Sequence, residues 1–151
     1  MKVVICRGLP GSGKSTYAKK LMNAGYLHYE NDMFFMKNGK YEFDQKKAKD
    51  AANWCYSQFM KALRAKKNVV VSNVFVTRKA VDRYADIAKT FGADVEVIRF
   101  NGDFGNVHDV PANVYASMKR AFQDYPGEMV FDYEKGAAKY CQGKSMTASS
   151  I

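Results

Sequence analysis

Cysteine, histidine, proline and acid are all scarce in this chain. Its 151 residues hold 3 cysteines, Cys6, Cys55 and Cys141, far apart and without a CxxC pair. That spacing excludes a disulfide framework or zinc site and suits a reducing compartment. Cys6, in an apolar run, and Cys55, on a helix face, read as small core residues. The 2 histidines are not at metal-ligand spacing; His28 reads as a packed or edge strand residue and His108 as an exposed loop residue, with a place facing the nucleotide as its alternative. No stretch approaches the ~18 apolar residues of a membrane helix, so no membrane partner is expected. The apolar start is too short for a signal peptide, and a cytoplasmic protein is the expectation. Acidic residues number 15 against 24 basic ones, a net charge of +9. A surplus of that size points to a polyanionic partner, nucleic acid or an anionic membrane surface, of which nucleic acid is the expectation. Apolar residues make up 47% of the chain, which excludes disorder as its main state and suffices for one core.

The pattern alternates between strand and helix periods. Residues 2–7 are a buried strand running into a glycine-rich turn, and Tyr17, Ala18, Leu21 and Met22 mark a helix from Lys14. A short strand follows at 26–29, then a loop over 33–43 with a turn at Asn38-Gly39. Asp44 is placed to cap a long helix to about residue 66, with Ala48, Ala51, Ala52, Cys55, Phe59 and Leu63 facing inward. Residues 68–72 form a strand buried on both faces. Thr77 caps a helix whose inward face is Val81, Tyr84, Ala85, Ala88 and Phe91. A strand at 94–100 leads to a polar loop over 101–110, and Pro111 opens a helix to about 125. A last short strand is expected at 129–131. The reading is one α/β domain over 1–134, a mostly parallel four- to five-stranded sheet flanked by helices on both faces. Residues 135–151 read as a flexible tail. Ligands of such sheets bind beyond the carboxyl ends of the strands, which marks 8–16, 30–35, 72–77 and 101–110.

Within the first of these segments, Gly8-Leu-Pro10-Gly11-Ser12-Gly13-Lys14-Ser15-Thr16 fits the phosphate loop G-x-x-x-x-G-K-[ST], between strand and helix as that motif requires. Gly8, Gly11 and Gly13 are expected to allow positive φ and leave no Cβ between backbone and phosphates. Inward N–H groups and the helix start then attract the anion. Lys14 supplies a cation for the β- and γ-phosphates, Ser15 a hydroxyl for Mg²⁺, and Thr16 faces the α-phosphate side. ATP and Mg²⁺ are the expected cofactors.

Asp32 follows the second strand, where a carboxylate can take a proton from an attacking hydroxyl or hold the waters of Mg²⁺. Glu30 is the weaker candidate, since the strand can include it. The third strand ends Val71-Ser72-Asn73 without the metal-binding acid of a Walker B element. Lys46, Lys47, Lys49, Arg64, Lys66 and Lys67 read as a solvated helix face that the net charge makes a candidate phosphate-backbone footprint.

Taken together, GLPGSGKSTYAKKL, YENDMFF, GKYEFD, VVVSN-x-F and VPANVYASMKRAF resemble the phage polynucleotide 5′-hydroxyl kinase domain and related small P-loop kinases. The resemblance runs from Met1 to about Tyr133 and implies transfer of the ATP γ-phosphate to a hydroxyl, with Lys14 and Asp32 as catalytic residues. It also implies the cytoplasm of a host cell, if the chain is phage-encoded. Three departures stand out. Phe35 replaces the family's arginine after the base, the lid over 103–109 has no Arg or Lys, and Ser72-Asn73-Val74-Phe75 replaces the family's Asp/Asn-Thr-Asn. Arg78 and Arg120 are the candidate replacements for the phosphate-clamping arginine, and Asn73 and Phe35 are further candidate substrate contacts.

The leading expectation is a kinase acting on a single-stranded nucleic-acid end, with Phe34, Phe35 and Tyr41 able to stack an unpaired base. The alternatives are a small-nucleotide, metabolite or modified-base kinase, and a degenerate nucleotide-binding regulator. The residues carry no statement of oligomeric state. If the basic surplus tracks a nucleic-acid backbone, oligonucleotide affinity measured by titration falls steeply between ~50 and ~200 mM salt. Affinity that ignores salt removes the backbone footprint.

Overall fold

Repeated alternation of apolar runs with amphipathic stretches produces β1 (Lys2–Arg7), α1 (Lys14–Asn23) and β2 (Leu27–Tyr29). A 3-10 turn, Asn31–Phe35, leads into the hairpin β3 (Met36–Lys37) and β4 (Lys40–Tyr41), and a second, Gln45–Lys47, into α2 (Ala48–Arg64). Then come β5 (Val69–Asn73), α3 (Arg78–Thr90), β6 (Asp94–Phe100), α4 (Ala112–Ala121), β7 (Met129–Asp132), β8 (Ala137–Tyr140) and β9 (Ser145–Thr147). The structure, a computed structural model, describes residues 1–105, 110–132, 137–140 and 145–147.

The main sheet runs β2-β5-β1-β6-β7-β8-β9. Its first five strands are parallel, as the sequence pattern requires. β8 and β9 add two antiparallel strands, beyond the four to five expected, within the segment read as a tail. They cover the outer edge of β7, which would otherwise present unpaired N–H and C=O groups. Cys141 lies outside the described residues.

Alternation along the central strand builds two cores. Val3 and Ile5 join Cys55, Phe59 and Leu63 of α2 and Val81, Tyr84 and Ala85 of α3 on one face. Val4 and Cys6 join Tyr17 and Ala18 of α1, with Ile98, Phe100 and Phe131, on the other. The segments marked as functional, the last described over 101–105 and at 110, follow the carboxyl ends of β1, β2, β5 and β6. α4 is different, since none of its side chains is buried.

Several boundaries move for identifiable reasons. Asp44 accepts from Lys46 N at 3.0 Å and so caps the 3-10 turn, with α2 starting at Ala48, which is exposed. Residues 33–43 are more ordered than a loop, because Asn38 (φ 51°) and Gly39 (φ 77°) form the two-residue turn of a hairpin. Phe91 follows the last turn of α3 and is 37% exposed, and Met22 is 49% exposed, so neither joins the core. α4 ends at Ala121, short of 125, because Phe122 turns extended. Its ring lies between two guanidinium groups, 4.3 Å from that of Arg7 and 4.7 Å from that of Arg99.

Arg7, the last residue of β1, is fully buried. Its Nη1 donates to Glu128 Oε1 at 2.7 Å, and its Nη2 to Phe75 O and Gln123 O at 2.7 Å each. Removing one member of a buried ion pair leaves the other charge desolvated and unpaired. Arg7→Met is therefore expected to lower the unfolding free energy in urea by ~3–5 kcal/mol. Arg7→Lys should recover little, because an ammonium cannot reach all three acceptors with the geometry of a planar fork.

Candidate functional site

Residues 8–16 turn from the end of β1 into α1 at the middle of the carboxyl edge. Gly11 (φ 78°) and Gly13 (φ 102°) take the left-handed conformation expected of them. Gly8 does not; it is required for space. A Cβ there would lie 2.5 Å from Ser12 Oγ and 2.6 Å from Phe100 O. Gly13 caps α1 with no side-chain hydrogen bond, so the first N–H groups of α1 are not engaged by a capping side chain. Ser12 is buried in the loop, its N–H donating to Leu9 O at 3.1 Å, while Ser15 and Thr16 stand exposed on the first turn of α1.

Lys14 reaches back into the loop. Its Nζ donates to Gly8 O at 2.8 Å, to Leu9 O at 3.0 Å and to Ser12 Oγ at 3.5 Å. Burial lowers its pKa to about 8, opposed chiefly by the negative charge of Glu30 and then by Cys6 and Asp32. Both carboxylates that follow β2 therefore act on this ammonium.

Glu30 lies just past the last residue of β2, outside the strand, and its Oε2 accepts from Ser72 Oγ at 2.9 Å. His28 Nε2 is 2.7 Å from the same Ser72 oxygen. Ser72 has one proton and gives it to Glu30, so His28 must be the donor in the other bond. The chain is His28 Nε2–H to Ser72 to the Glu30 carboxylate. Burial lowers the pKa of His28, against the nearby Glu30 charge. The histidine is packed, as expected, and the glutamate is more central than sequence placed it. Its signal was the boundary of β2, one residue before it.

Asp32 sits in the 3-10 turn, where Oδ1 accepts from Tyr41 Oη at 3.1 Å. Burial, with Asp32 beside it, pushes the Tyr41 pKa up to about 12. Asn73 Oδ1 accepts from Asn31 N at 2.8 Å, so this amide fixes the turn that bears Asp32. Asn31 Oδ1 is the buried side-chain oxygen without a hydrogen-bond partner among the described residues. Phe35 is only 4% exposed and packs against Phe34 and Phe43, so it supports the site from below and cannot itself stack a base. The apolar core under the hairpin draws it inward.

Residues 103–105 pack on the loop. Phe104 N donates to Gly11 O at 2.8 Å, and a Cβ on Gly11 would lie 1.8 Å from Gly105 O. Pro10, Asp103, Gly105, Val110, Ala112 and Tyr115 line a cleft of about 310 Å³ there. Residues 106–109, with His108, lie outside the described residues. Arg78 Nε donates to Asp124 O at 2.7 Å, and Arg120 stands exposed on α4. Among the described contacts neither is bonded to the phosphate loop. A larger cavity of about 520 Å³, lined by Lys2, Lys89, Asp94 and Glu96 among others, lies toward the amino ends of β1 and β6, away from this chemistry.

The loop suits a nucleoside triphosphate: glycines where a Cβ would clash, a lysine already inside, and a helix start facing it. Among the described residues no three His, Cys, Asp or Glu side chains are grouped to hold a metal by themselves. That is compatible with Mg²⁺, which keeps several waters and uses few protein ligands beside substrate phosphates. Ser15 is the candidate hydroxyl for such an ion, and Glu30 and Asp32 are the carboxylates whose charge acts at Lys14. No helix among the described residues is long and apolar enough to cross a membrane.

Residues 3–106 match the AAA domain family AAA_33. The chain is 32% identical over 139 residues to an uncharacterized protein of Pasteurella multocida, covering 82% of this chain and 78% of that protein. It is 33% identical over 103 residues, 59% of this chain, to an Autographa californica nuclear polyhedrosis virus protein named as a candidate bifunctional polynucleotide kinase/RNA ligase. This match spans 15% of the viral protein. Among solved structures, a gluconokinase from Sinorhizobium meliloti 1021 superposes with a TM-score of 0.56 at 17% identity, covering 82% of this chain and 75% of that one. The chain has the α/β fold of the P-loop kinases and belongs to the AAA domain family.

Proposed function

We propose that the protein is an ATP-dependent kinase that transfers the γ-phosphate to a hydroxyl of a nucleic acid, with a polynucleotide 5′-hydroxyl as acceptor. The observation that carries this reading is Asp32. It stands in the turn after β2, held by Asn73 through Asn31, and its charge acts on the Lys14 ammonium of the phosphate loop. The net charge of +9 and the viral relative named for polynucleotide kinase support the choice of acceptor.

In this reading Gly8, Pro10, Gly11, Ser12 and Gly13 enclose the triphosphate, Lys14 turns from the loop carbonyls to the β- and γ-oxygens, and Thr16 lies on the α-phosphate side. Ser15 would hold Mg²⁺, which would supply charge neutralisation at the triphosphate. The acceptor oxygen bonds to the γ-phosphorus as the bond from that phosphorus to the β-bridging oxygen breaks. ADP leaves, and the hydroxyl proton passes to the Asp32 carboxylate. Glu30, fixed by Ser72, adds the negative charge that β5 lacks at Asn73. One observation favours a second reading, a nucleotide-binding regulator: Arg78 is bonded to Asp124 O and Arg120 stands on α4 without a bond to the loop. Labelled ATP offered with a 5′-hydroxyl oligonucleotide, with nucleosides and sugar acids, and alone separates these readings. Transfer to the oligonucleotide supports the kinase proposed, transfer only to a monomer supports a small-acceptor kinase, and binding without turnover supports the regulator.

Asp32→Asn is expected to leave ATP binding within a few-fold while lowering transfer by at least ~10²-fold, the scale of a lost general base. A parallel loss of nucleotide affinity, recovering at higher magnesium, would instead place Asp32 on the metal. Neither changing would make it an ordinary loop carboxylate.

Lys14 gives a pH signature. Its pKa in the free protein is lowered to about 8, and bound phosphates raise it, so binding takes up a proton once pH exceeds that value. ATP affinity should be flat below neutrality and fall as pH climbs past about 8 toward the ordinary lysine value of 10.5. Calorimetry near pH 9 in two buffers of different ionisation enthalpy should detect the uptake. In Lys14→Met the uptake should vanish and affinity should be low throughout.

A further inference from the structure

The hairpin beyond Asp32 presents more aromatic surface than its own packing requires. Phe35 fills the space beneath it, backed by Phe34 at 5.5 Å between ring centroids, and Phe34 in turn by Trp54 at 6.3 Å. Above this layer Tyr41 is 36% exposed and Phe43 57% exposed. Their rings are nearly parallel, at 15° and 6.4 Å, and so present a common aromatic face. Tyr41 is also the residue whose hydroxyl meets Asp32 at 3.1 Å, so this face begins at the candidate base. The surrounding charge is positive. Residues 36–49 contain Lys37, Lys40, Lys46, Lys47 and Lys49 against Glu42 and Asp44, and all five lysines are exposed.

We infer that the Tyr41–Phe43 face, with Lys37 and Lys40, seats the unpaired base at the end of a single-stranded nucleic acid and so brings its hydroxyl to Asp32. The inference rests on the kinase reading above and names the part of the molecule that selects the acceptor. An aromatic face accepts every base through its π-surface, whereas the lysines take the backbone phosphates, giving sequence-tolerant binding of single strands. A polyhydroxylated small acceptor calls for polar side chains aimed at its hydroxyls, which this face does not offer.

The test uses the full chain and an 8-nucleotide oligothymidylate with a free 5′-hydroxyl and a 3′ fluorophore, followed by anisotropy at fixed salt. Phe43→Ala is expected to weaken binding about tenfold or more, with ATP affinity unchanged. Phe43→Trp should bind like the parent, which excludes a folding defect as the cause. Lys37→Gln with Lys40→Gln should flatten the salt dependence by the share of two phosphate contacts. If both the Phe43→Ala and the lysine variant bind as the parent does while the parent phosphorylates the oligonucleotide, the platform is overturned and the kinase reading stands. If the parent neither binds nor phosphorylates the oligonucleotide but phosphorylates a monomer, both fall together.

Discussion

At the end of the central strand one desolvated guanidinium holds three segments that are distant in sequence. Arg7 gathers the carbonyl of Phe75 before α3, the carbonyl of Gln123 after α4, and the carboxylate of Glu128 before β7. Arg99 joins the same cluster through Asp124 and lies 3.8 Å from Glu128. Two positive charges flank the ring of Phe122, and two carboxylates balance them. A charge so deep is tolerable only when nearly all its donors are satisfied, which makes the arrangement strict. The next residue is Gly8, whose N–H bonds to Val74 O at 3.2 Å. The phosphate loop thus starts from a point fixed on both sides.

The electrostatic design of the edge is displaced by one strand. β5 ends in a neutral Asn73, and the acid appears instead after β2, as Glu30 held by Ser72 of β5. The negative charge thus remains opposite Lys14, carried by a neighbouring segment through a serine hydroxyl. Asn73 has a different task, since its side-chain oxygen orders the turn in which Asp32 stands.

Much of the architecture was legible because parallel strands covered on both faces are continuous apolar runs, and those of β1, β5 and β6 are unmistakable. The phosphate loop was legible because its chemistry is local to nine consecutive residues. What escaped depends on contacts across the fold. Arg7 reads in sequence only as the last residue of a buried strand; the arrival of Phe75, Gln123 and Glu128 makes it an anchor. Phe122 continues the helical pattern of α4 and leaves it because two arginines hold its ring. Phe35 and Phe43 are equally apolar, yet one is 4% and the other 57% exposed, a difference that composition does not carry. The standing of Glu30 turned on whether β2 ended one residue earlier.

α4 contributes no buried side chain, yet it follows the lid and lies beside the cleft at Pro10. Just past its end the chain is tied to the body by the Phe122 ring between Arg7 and Arg99 and by the Gln123 carbonyl on Arg7. Substitutions along α4 therefore bear little on the core, and selection can revise this wall separately from the machinery that binds phosphate. Ten consecutive positions are thus open to change at no cost to either core.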